Sequence, residues 1–343
     1  MKHVFITGAA GFIGGYIVNQ FVDEGWHVLA LVHRRTSPSL DALVAKGRVT
    51  ILRGDLKNMP PIGASLVAEL NSRQAALDVI VHCAGRASDV GWRSAFRKAN
   101  YDSVRELVQI SKTMNVQRFV FISTTDAYGL SDFHGEAEDE LPLKARPSNP
   151  YPEFKIKAEH MIRQELSPEQ FVLIRPAQVW GVGDRTLTPR IVDFLKTSPW
   201  IVHFGKWRGQ NRWPLAHVRN VALTTFLASV DPDIGGHAVN VVDDEQTTMD
   251  EFYHILAALY LPHKRFRTVT LPFWVGQMVS SLISWISNCL NLDTPFTDPS
   301  FYALYSVSHN LDFSNHRMKK LITQENRHLF TRDEGVKELA DII

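Results

Sequence analysis

Short apolar runs that alternate with helix-like stretches constrain the fold of this chain more than any other feature. The runs are apolar throughout rather than at every second position, which is typical of strands covered on both faces. Strands alternating with helices predict right-handed crossovers and a parallel sheet between two helical layers, a doubly wound α/β architecture. The apolar runs are residues 4–7, 28–32, 49–52, 79–82, 119–123 and 172–175, and helix-like stretches include 11–24, 39–46, 65–76 and 93–115.

The second half of the chain follows a different pattern. The chain has 343 residues, which is enough for one large domain and a smaller companion with a well-buried core. After about Pro176 the alternation breaks and Pro and Trp become frequent. We therefore predict one domain over residues 1–175 and a smaller subdomain, mainly for substrate, over residues 176–343. Some segments of that subdomain are expected to return to the core of the first domain.

Charge and cysteine content exclude several classes of protein. The net charge is +1 and the sequence has no long basic run, so nucleic acid is not an expected partner. The two cysteines, Cys83 and Cys289, lie in unrelated segments, which argues against a disulfide framework or a cysteine-based metal site and fits a reducing cytoplasm. Met1-Lys2 leads directly into an apolar run and then glycines, so a signal peptide is not expected.

Three glycines follow the first predicted strand and open the first predicted helix. Gly8 permits a tight turn, Gly11 lets the backbone approach a pyrophosphate, and Gly14 lets the helix pack closely on the strand. The anion would lie at the positive end of the helix dipole. Because this glycine pattern lies between a strand and a helix, it predicts a dinucleotide-binding site.

The residues after the second strand bear on the choice of cofactor. A carboxylate there would bind the ribose hydroxyls of NAD and repel a 2′-phosphate. The sequence instead has His33, Arg34 and Arg35, and arginine suits a phosphate because its planar fork donates two parallel hydrogen bonds. NADP is therefore favoured over NAD.

Two further strand ends are expected to touch the cofactor. Asp55 follows the third strand, where its carboxylate is placed to accept from the adenine amino group, with Leu56 beside it. Ala84 and Gly85 follow the fourth strand, where small residues let the cofactor lie close to the backbone. No metal-type spacing accompanies His82, so no metal site is expected.

Tyr151 and Lys155 are four residues apart on one helix face, a spacing that brings their side chains together. Phenols with a pKa near 10 are poor bases at neutral pH. A nearby ammonium, helped by the positive charge of an oxidised nicotinamide, is expected to stabilise the phenolate and lower that pKa. Thr124 ends the fifth strand, where its hydroxyl is placed to hold a substrate oxygen. Tyr260 and Lys264 have the same spacing but lack this context, so we interpret that pair as accidental.

Taken together, these motifs resemble an extended short-chain dehydrogenase/reductase. The resemblance covers nearly the whole chain and implies a seven-stranded Rossmann sheet with a C-terminal substrate subdomain. It also implies a proton-relaying tetrad of Asn100, Thr124, Tyr151 and Lys155. Beyond the glycines, residues within or next to these motifs are expected to contact the cofactor, namely Phe12, Ile13, Leu56, Tyr151, Lys155 and Pro176. The motifs that carry the resemblance are residues 7–14, Asp55, residues 82–85, Asn100, residues 124–129, Tyr151, Lys155, Arg175 and Pro176.

Two later motifs point to a branch of that family. Residues 181–190 and the segment from His217 to Asn220 are similar to the 3β-hydroxysteroid and sterol dehydrogenase-like branch. Nucleotide-sugar dehydratases typically carry Asp-Glu after the catalytic threonine, but this chain has Thr125-Asp126, which argues against dehydration.

Three functions remain open on the sequence alone. The favoured one is an NADP(H)-dependent oxidoreductase that interconverts a secondary alcohol and a ketone on an apolar or cyclic small molecule. The second is a nucleotide-sugar epimerase that retains its cofactor. The third is a non-catalytic NADP-binding redox sensor, against which the complete tetrad argues. The sequence leaves the oligomeric state open, a homodimer included.

Residues 268–292 carry no charged side chain and bear on membrane contact. A spanning helix needs about 20 predominantly apolar residues, and the serines and asparagines of this segment make it amphipathic instead. The sequence favours a packed helix of the substrate subdomain over contact with a membrane surface.

Overall fold

The fold is built around a parallel seven-stranded sheet. The computed structural model describes residues 1–87, 92–143, 150–289 and 301–343. The strand order is β11-β7-β5-β4-β1-β2-β3, and every neighbouring pair is parallel. This confirms the predicted doubly wound α/β architecture of the Rossmann type.

The strands, numbered in chain order, are β1 His3–Thr7, β2 His27–Val32, β3 Val49–Arg53, β4 Val79–His82, β5 Arg118–Ile122, β6 Phe133–Glu136, β7 Phe171–Pro176, β8 Gln178–Trp180, β9 Trp200–Phe204, β10 Leu215–His217, β11 Ala238–Val241, β12 Arg267–Leu271 and β13 Leu311–Phe313.

The α-helices are α1 Phe12–Asp23, α2 Pro38–Ala45, α3 Met59–Ser72, α4 Arg93–Arg97, α5 Ser103–Thr113, α6 Pro150–Glu165, α7 Leu187–Thr197, α8 Val218–Val230, α9 Met249–Tyr260, α10 Phe273–Cys289, α11 Phe301–Ser308, α12 His316–Gln324 and α13 Arg332–Ala340. A π-helix spans Lys98–Asp102, and short 3-10 helices span Thr125–Tyr128 and Pro168–Gln170.

Two buried clusters explain why the strands are apolar at every position. Val4 and Ile6 of β1 face a cluster to which α1, α8 and α12 contribute. Phe5, between them, faces a second cluster on the other side, to which α3, α5 and α6 contribute. Successive side chains of a strand point to opposite faces, so a sheet covered on both sides needs apolar residues throughout.

Three elements differ from the sequence-based expectation. The seventh strand, β11, was not among the predicted runs; it comes from the second half and pairs with β7. Helix α3 begins at Met59, earlier than predicted, because its two prolines occupy first-turn positions whose N–H groups need no partner. The helix predicted over residues 93–115 is interrupted by the π-helix.

Within the described residues, three small parallel sheets of two strands each lie outside the main sheet, and all but one of their strands, β6, come from the second half of the chain. They pair β8 with β10, β9 with β12, and β6 with β13. A separate buried cluster, which includes Trp180, Trp213 and Phe252, lies beneath α7 and α9. The division into residues 1–175 and 176–343 stays a prediction, although β11, α8 and α12 do pack on the main sheet.

We predict that substitution of two adjacent glycines of α1 by alanine has opposite effects on the free energy of unfolding. A Cβ at Gly14 would overlap the carbonyl oxygen of Gly8, whereas a Cβ at Gly15 would meet nothing closer than 3.8 Å. Gly14→Ala should lower the free energy of unfolding by about 2 kcal/mol through overpacking. Gly15→Ala should raise it by roughly 0.5–1 kcal/mol because alanine favours a helix. Urea denaturation followed by circular dichroism measures both; equal effects would contradict the close-approach argument.

Candidate active site

The turn between β1 and α1 forms a cradle suited to a dinucleotide. Gly8 has a φ of +73°, and a Cβ there would lie 2.8 Å from the amide nitrogen of Ala84. Gly11 stands at the N-cap of α1, and no side chain caps the helix there. The first amides of α1 are therefore available to an anion, as dinucleotide binding requires.

Behind this cradle, Thr7 links the ends of β1 and β4. Its hydroxyl accepts from the amide of Ala84 at 3.2 Å and lies 2.7 Å from Nδ1 of His82. Burial, reinforced by nearby Lys155, lowers the pKa of His82 to about 3. The ring is therefore neutral and shares a hydrogen bond with the Thr7 hydroxyl, which makes His82 a packed structural residue.

The ends of β2 and β3 form a polar corner. His33 lies 3.4 Å from the carboxylate of Asp55, so the structure brings these two predicted cofactor residues together. The Arg53 guanidinium donates to the carbonyl of Arg34 at 3.2 Å. Because β2 and β5 are three strand spacings apart, roughly 14 Å, an extended ligand is needed to reach from this corner to the end of β5.

Asn100 and Lys155 meet at Gly85. A Cβ on Gly85 would lie 2.9 Å from Oδ1 of Asn100 and 3.5 Å from Nζ of Lys155. The Asn100 side chain is fully buried in the π-helix and bonds both backbone groups of Arg86, at 2.8 and 3.0 Å. The π-helix thus holds Asn100 against the chain that leaves β4, beside the lysine.

Tyr151 and Thr124 also meet, as predicted. The Tyr151 hydroxyl is hydrogen-bonded to the Thr124 side chain, which also caps the following 3-10 helix by accepting from Asp126 at 3.1 Å. Burial is the main cause that raises the pKa of Tyr151, and the Asp126 carboxylate adds to it. Without a cofactor the pKa of Tyr151 is therefore raised, and the lowering expected from Lys155 together with an oxidised nicotinamide stays a prediction.

Lys155 is held on the other side of this group. Its ammonium donates to the carbonyl of Ile122 at 2.7 Å and lies 4.5 Å from the centre of the Phe121 ring. Burial lowers the pKa of Lys155 to about 8. The ammonium is therefore still charged at neutral pH, and the last carbonyl of β5 fixes its direction.

A buried ion pair one turn further along α6 was missed from the sequence. The carboxylate of Glu159 accepts from Nε of Arg175 at 3.0 Å and from a second nitrogen of the same guanidinium. Its first oxygen also accepts from the Ser123 hydroxyl at 2.5 Å. Arg175 in turn donates to Tyr128 at 2.8 Å. The spacing from Tyr151 through Lys155 to Glu159, four residues at each step, was the signal in the sequence.

The motifs used to assign a family branch have structural roles. Asp243 accepts from the backbone of His217, from Trp180 and from Asn220, at 2.8 to 2.9 Å. Burial raises the pKa of this carboxyl to about 6. Gly181 has a φ of +132°, and a Cβ there would lie 2.9 Å from His217. These residues hold β8, β10 and α8 together.

Within residues 181–190, Asp184 accepts from the first amides of α7, including Thr188 at 2.6 Å. The carbonyl of Val182 accepts from the Tyr16 hydroxyl of α1 at 3.1 Å. The loop is thereby fixed next to the phosphate cradle, where Gly183 approaches the ring of Phe12.

The second tyrosine–lysine pair has no comparable geometry. Tyr260 ends α9, and Lys264 donates to the carbonyls of Leu195 and Lys196 at 2.6 and 2.7 Å. The lysine therefore completes the C-terminus of α7, which agrees with the interpretation of this pair as accidental.

The remaining predicted cofactor residues lie at the same edge of the sheet or pack behind it. Phe12 makes an edge contact with Tyr16, Ile13 and Leu56 pack against the two core clusters, and Pro176 is buried at the end of β7. Their contact with a cofactor stays a prediction. Among the described residues, no three His, Cys, Asp or Glu side chains come together as a metal site would require.

Comparison with known proteins identifies the family. Residues 4–242 match the NAD dependent epimerase/dehydratase family. The chain belongs to this family. Its curated relatives include sterol dehydrogenases, which agrees with the predicted extended short-chain dehydrogenase/reductase, and the chain is a nicotinamide-dependent enzyme.

Two curated relatives and one solved structure illustrate the similarity. The chain is 26% identical to 4-hydroxy-2-methyl-3-oxo-4-farnesyl-3,4-dihydroquinoline-1-oxide ketoreductase of Stigmatella aurantiaca, over 74% of this chain and 71% of that protein. It is 25% identical to a decarboxylating sterol-4-alpha-carboxylate 3-dehydrogenase of Mus musculus, over 98% and 89%. A dTDP-glucose 4,6-dehydratase of Bacillus anthracis, solved with NAD, shares the fold with a TM-score of 0.71, 17% identity and coverage of 99% and 96%.

We predict that Glu159→Gln destabilises the protein and disturbs the site together. Without the carboxylate, the buried Arg175 guanidinium lacks its counter-charge, which should cost roughly 3–5 kcal/mol of unfolding free energy. Chemical denaturation measures this loss. Glu165→Gln, on the same helix but pairing with Lys112 at the surface, is the control and should change stability little. Equal stability of the two variants would contradict the anchoring role of Glu159.

Proposed function

We propose that this enzyme interconverts a secondary alcohol and a ketone on an apolar or cyclic substrate, with NADP(H) as the redox partner. The observation that carries the proposal is the Tyr151 hydroxyl, bonded to Thr124 and one helical turn from the fixed ammonium of Lys155. Two relatives, a ketoreductase of a farnesyl-bearing dihydroquinoline and a sterol 3-dehydrogenase, support both the chemistry and an apolar substrate.

The side chains divide the work as follows. Thr124 orients the substrate oxygen toward the Tyr151 hydroxyl, which gives a proton to that oxygen in reduction and takes one in oxidation. The charge of Lys155 favours the phenolate form of Tyr151. Asn100 and Lys155 both lie against Gly85, so Asn100 helps to position the chain next to the lysine. Bound nicotinamide supplies or accepts the hydride and, when oxidised, adds a positive charge to the site.

The choice of NADP rests on the polar corner after β2 and β3. His33, Arg34 and Arg35 are all exposed there, and Arg53 contacts the backbone of Arg34. Three arginines around one loop suit a 2′-phosphate, which a planar guanidinium binds through paired hydrogen bonds. Asp55, next to His33, is the carboxylate that would accept from the adenine.

The chemical proposal predicts the effect of removing one oxygen. Tyr151→Phe keeps the ring but removes the proton-transferring hydroxyl, so turnover should fall roughly 10²–10⁴-fold while cofactor binding persists. Lys155→Met should also slow turnover and move the rise of the oxidation rate to higher pH, since the phenolate loses its cationic neighbour. Steady-state kinetics with a cyclic ketone and its alcohol test both.

Tyr260→Phe is the matched control and should keep wild-type turnover, since this tyrosine ends α9 and its lysine bonds to α7. Wild-type rates in Tyr151→Phe would remove the proposed mechanism. Tightly retained cofactor without turnover of free NADPH would favour the alternative, a sugar epimerase.

The cofactor proposal predicts a difference in affinity. Arg34→Ala should weaken NADP binding on the order of tenfold, the loss of one charge-assisted contact of about 1.5 kcal/mol, and leave NAD binding unchanged because NAD lacks the 2′-phosphate. Tryptophan fluorescence titration with both cofactors measures this. Arg48→Ala, remote from the corner with its guanidinium on the Val22 carbonyl, is the control. Equal NAD and NADP affinities in the wild type would contradict the proposal.

A further inference from the structure

Helix α10 carries large apolar side chains toward solvent. Trp274, Met278, Leu282 and Trp285 are exposed by 60%, 64%, 57% and 64%, and Val279 by 46%. We call these five residues the apolar face. Large apolar side chains that are exposed singly are ordinary, but five on one helix form a contiguous patch, which marks an interaction surface.

The apolar face follows the helical repeat. Successive members are four, one, three and three residues apart, which keeps all five on one side of α10, and the two tryptophans are roughly 16 Å apart along the axis. The opposite side packs on the protein: a Cβ at Gly276 would meet Leu304 and Phe204, and Ser280 is fully buried. The helix is therefore seated on the subdomain and presents its other side outward.

The Lys, Arg, Asp and Glu residues between Phe252, in α9, and the end of α10 have one sign. From Phe252 to Leu292 the sequence contains no Asp or Glu, and its only Lys or Arg residues are Lys264, Arg265 and Arg267. The Lys264 ammonium donates to a carbonyl near the end of α7, whereas the side chains of Arg265 and Arg267 are exposed. An apolar face preceded by exposed cations complements an anionic surface.

We propose that α10 lies in the plane of an anionic phospholipid membrane surface and docks the protein there. The sequence alone favours a packed helix, and the exposure of the apolar face in the structure is what reverses that preference. Among the helices that the structure describes, none combines the length and apolarity needed to cross a bilayer. Tryptophans at both ends of the face suit the headgroup level.

A second copy of the chain fits this surface less well. A two-fold interface brings the same patch of both copies together. Arg265 and Arg267 precede the helix by eight and six residues, and from Phe252 to Leu292 the sequence offers no carboxylate of a second copy to pair with them. Anionic lipid headgroups would pair with these cations, and acyl chains would cover the tryptophans.

The helix begins close to the catalytic end of the fold. A Cβ at Gly205 would lie 3.6 Å from Phe273, the first residue of α10. Two residues later, Trp207 donates to Asp132 at 2.8 Å, just after the 3-10 helix that Thr124 caps. If the proposed function holds, an apolar substrate dissolved in the membrane reaches the site from this side; the docking itself does not depend on that function.

Vesicle binding of the full-length protein tests the proposal. The wild type should co-sediment with vesicles of phosphatidylcholine and phosphatidylglycerol, and tryptophan emission should shift to the blue. The combined variant Trp274→Ser, Met278→Ser, Leu282→Ser and Trp285→Ser should lose this binding. The control, Val67→Ser with Val230→Ser, removes exposed apolar side chains elsewhere and should bind as the wild type does.

A charge variant tests the second half of the argument and leaves the helix intact. Arg265→Gln with Arg267→Gln should weaken binding to the anionic vesicles on the order of tenfold and reduce its dependence on salt. Binding to vesicles of phosphatidylcholine alone should change little.

Absence of wild-type binding to anionic vesicles would overturn the proposal. So would a wild-type dimer that becomes monomeric in the serine variant and binds no vesicles, as measured by analytical ultracentrifugation. No arm of the experiment requires turnover, so its failure is separate from failure of the proposed function.

Discussion

The buried ion pair between Glu159 and Arg175 fixes the geometry on which the candidate active site depends. It joins α6 to β7, and the bond from Ser123 to the same carboxylate joins α6 to the end of β5. One turn earlier, Lys155 bonds the last carbonyl of β5. Helix α6 is therefore held to the sheet at two successive turns, which leaves Tyr151 at the next turn little freedom relative to Thr124. Because the proton donor is already in place, no further conformational freedom has to be lost when the reaction occurs.

Burial has opposite effects on the two ionisable groups that this helix presents. It raises the pKa of Tyr151 and lowers that of Lys155, so desolvation opposes both the phenolate and the ammonium. At neutral pH the lysine remains charged while the tyrosine holds its proton. The protein alone is thus set to donate a proton from Tyr151, and the reverse direction requires additional positive charge in the site.

The sequence predicts the first half of the fold well because each strand is buried on both faces, and continuous apolar runs arise for that reason alone. The close packing at Gly14 and the meeting of Tyr151 with Thr124 were also visible, since each follows from a local spacing. Strand β11 was not predicted, because a four-residue run far along the chain carries no local indication of the strand with which it pairs. The π-helix around Asn100 likewise reflects tertiary contacts that local spacing does not encode.

The motifs that suggested a family branch have structural roles, so a resemblance in these residues does not by itself indicate which substrate is bound. His217, Asn220 and Gly181 form a buried unit around Asp243, and Asp184 caps α7. These residues determine how the subdomain is seated on the main sheet rather than what it binds. What the subdomain contacts must then depend on side chains that face outward from this frame, and the exposed apolar residues of α10 are such a group. Because the contacts around Asp243 are buried, substitutions on that outward surface can change it without disturbing the frame.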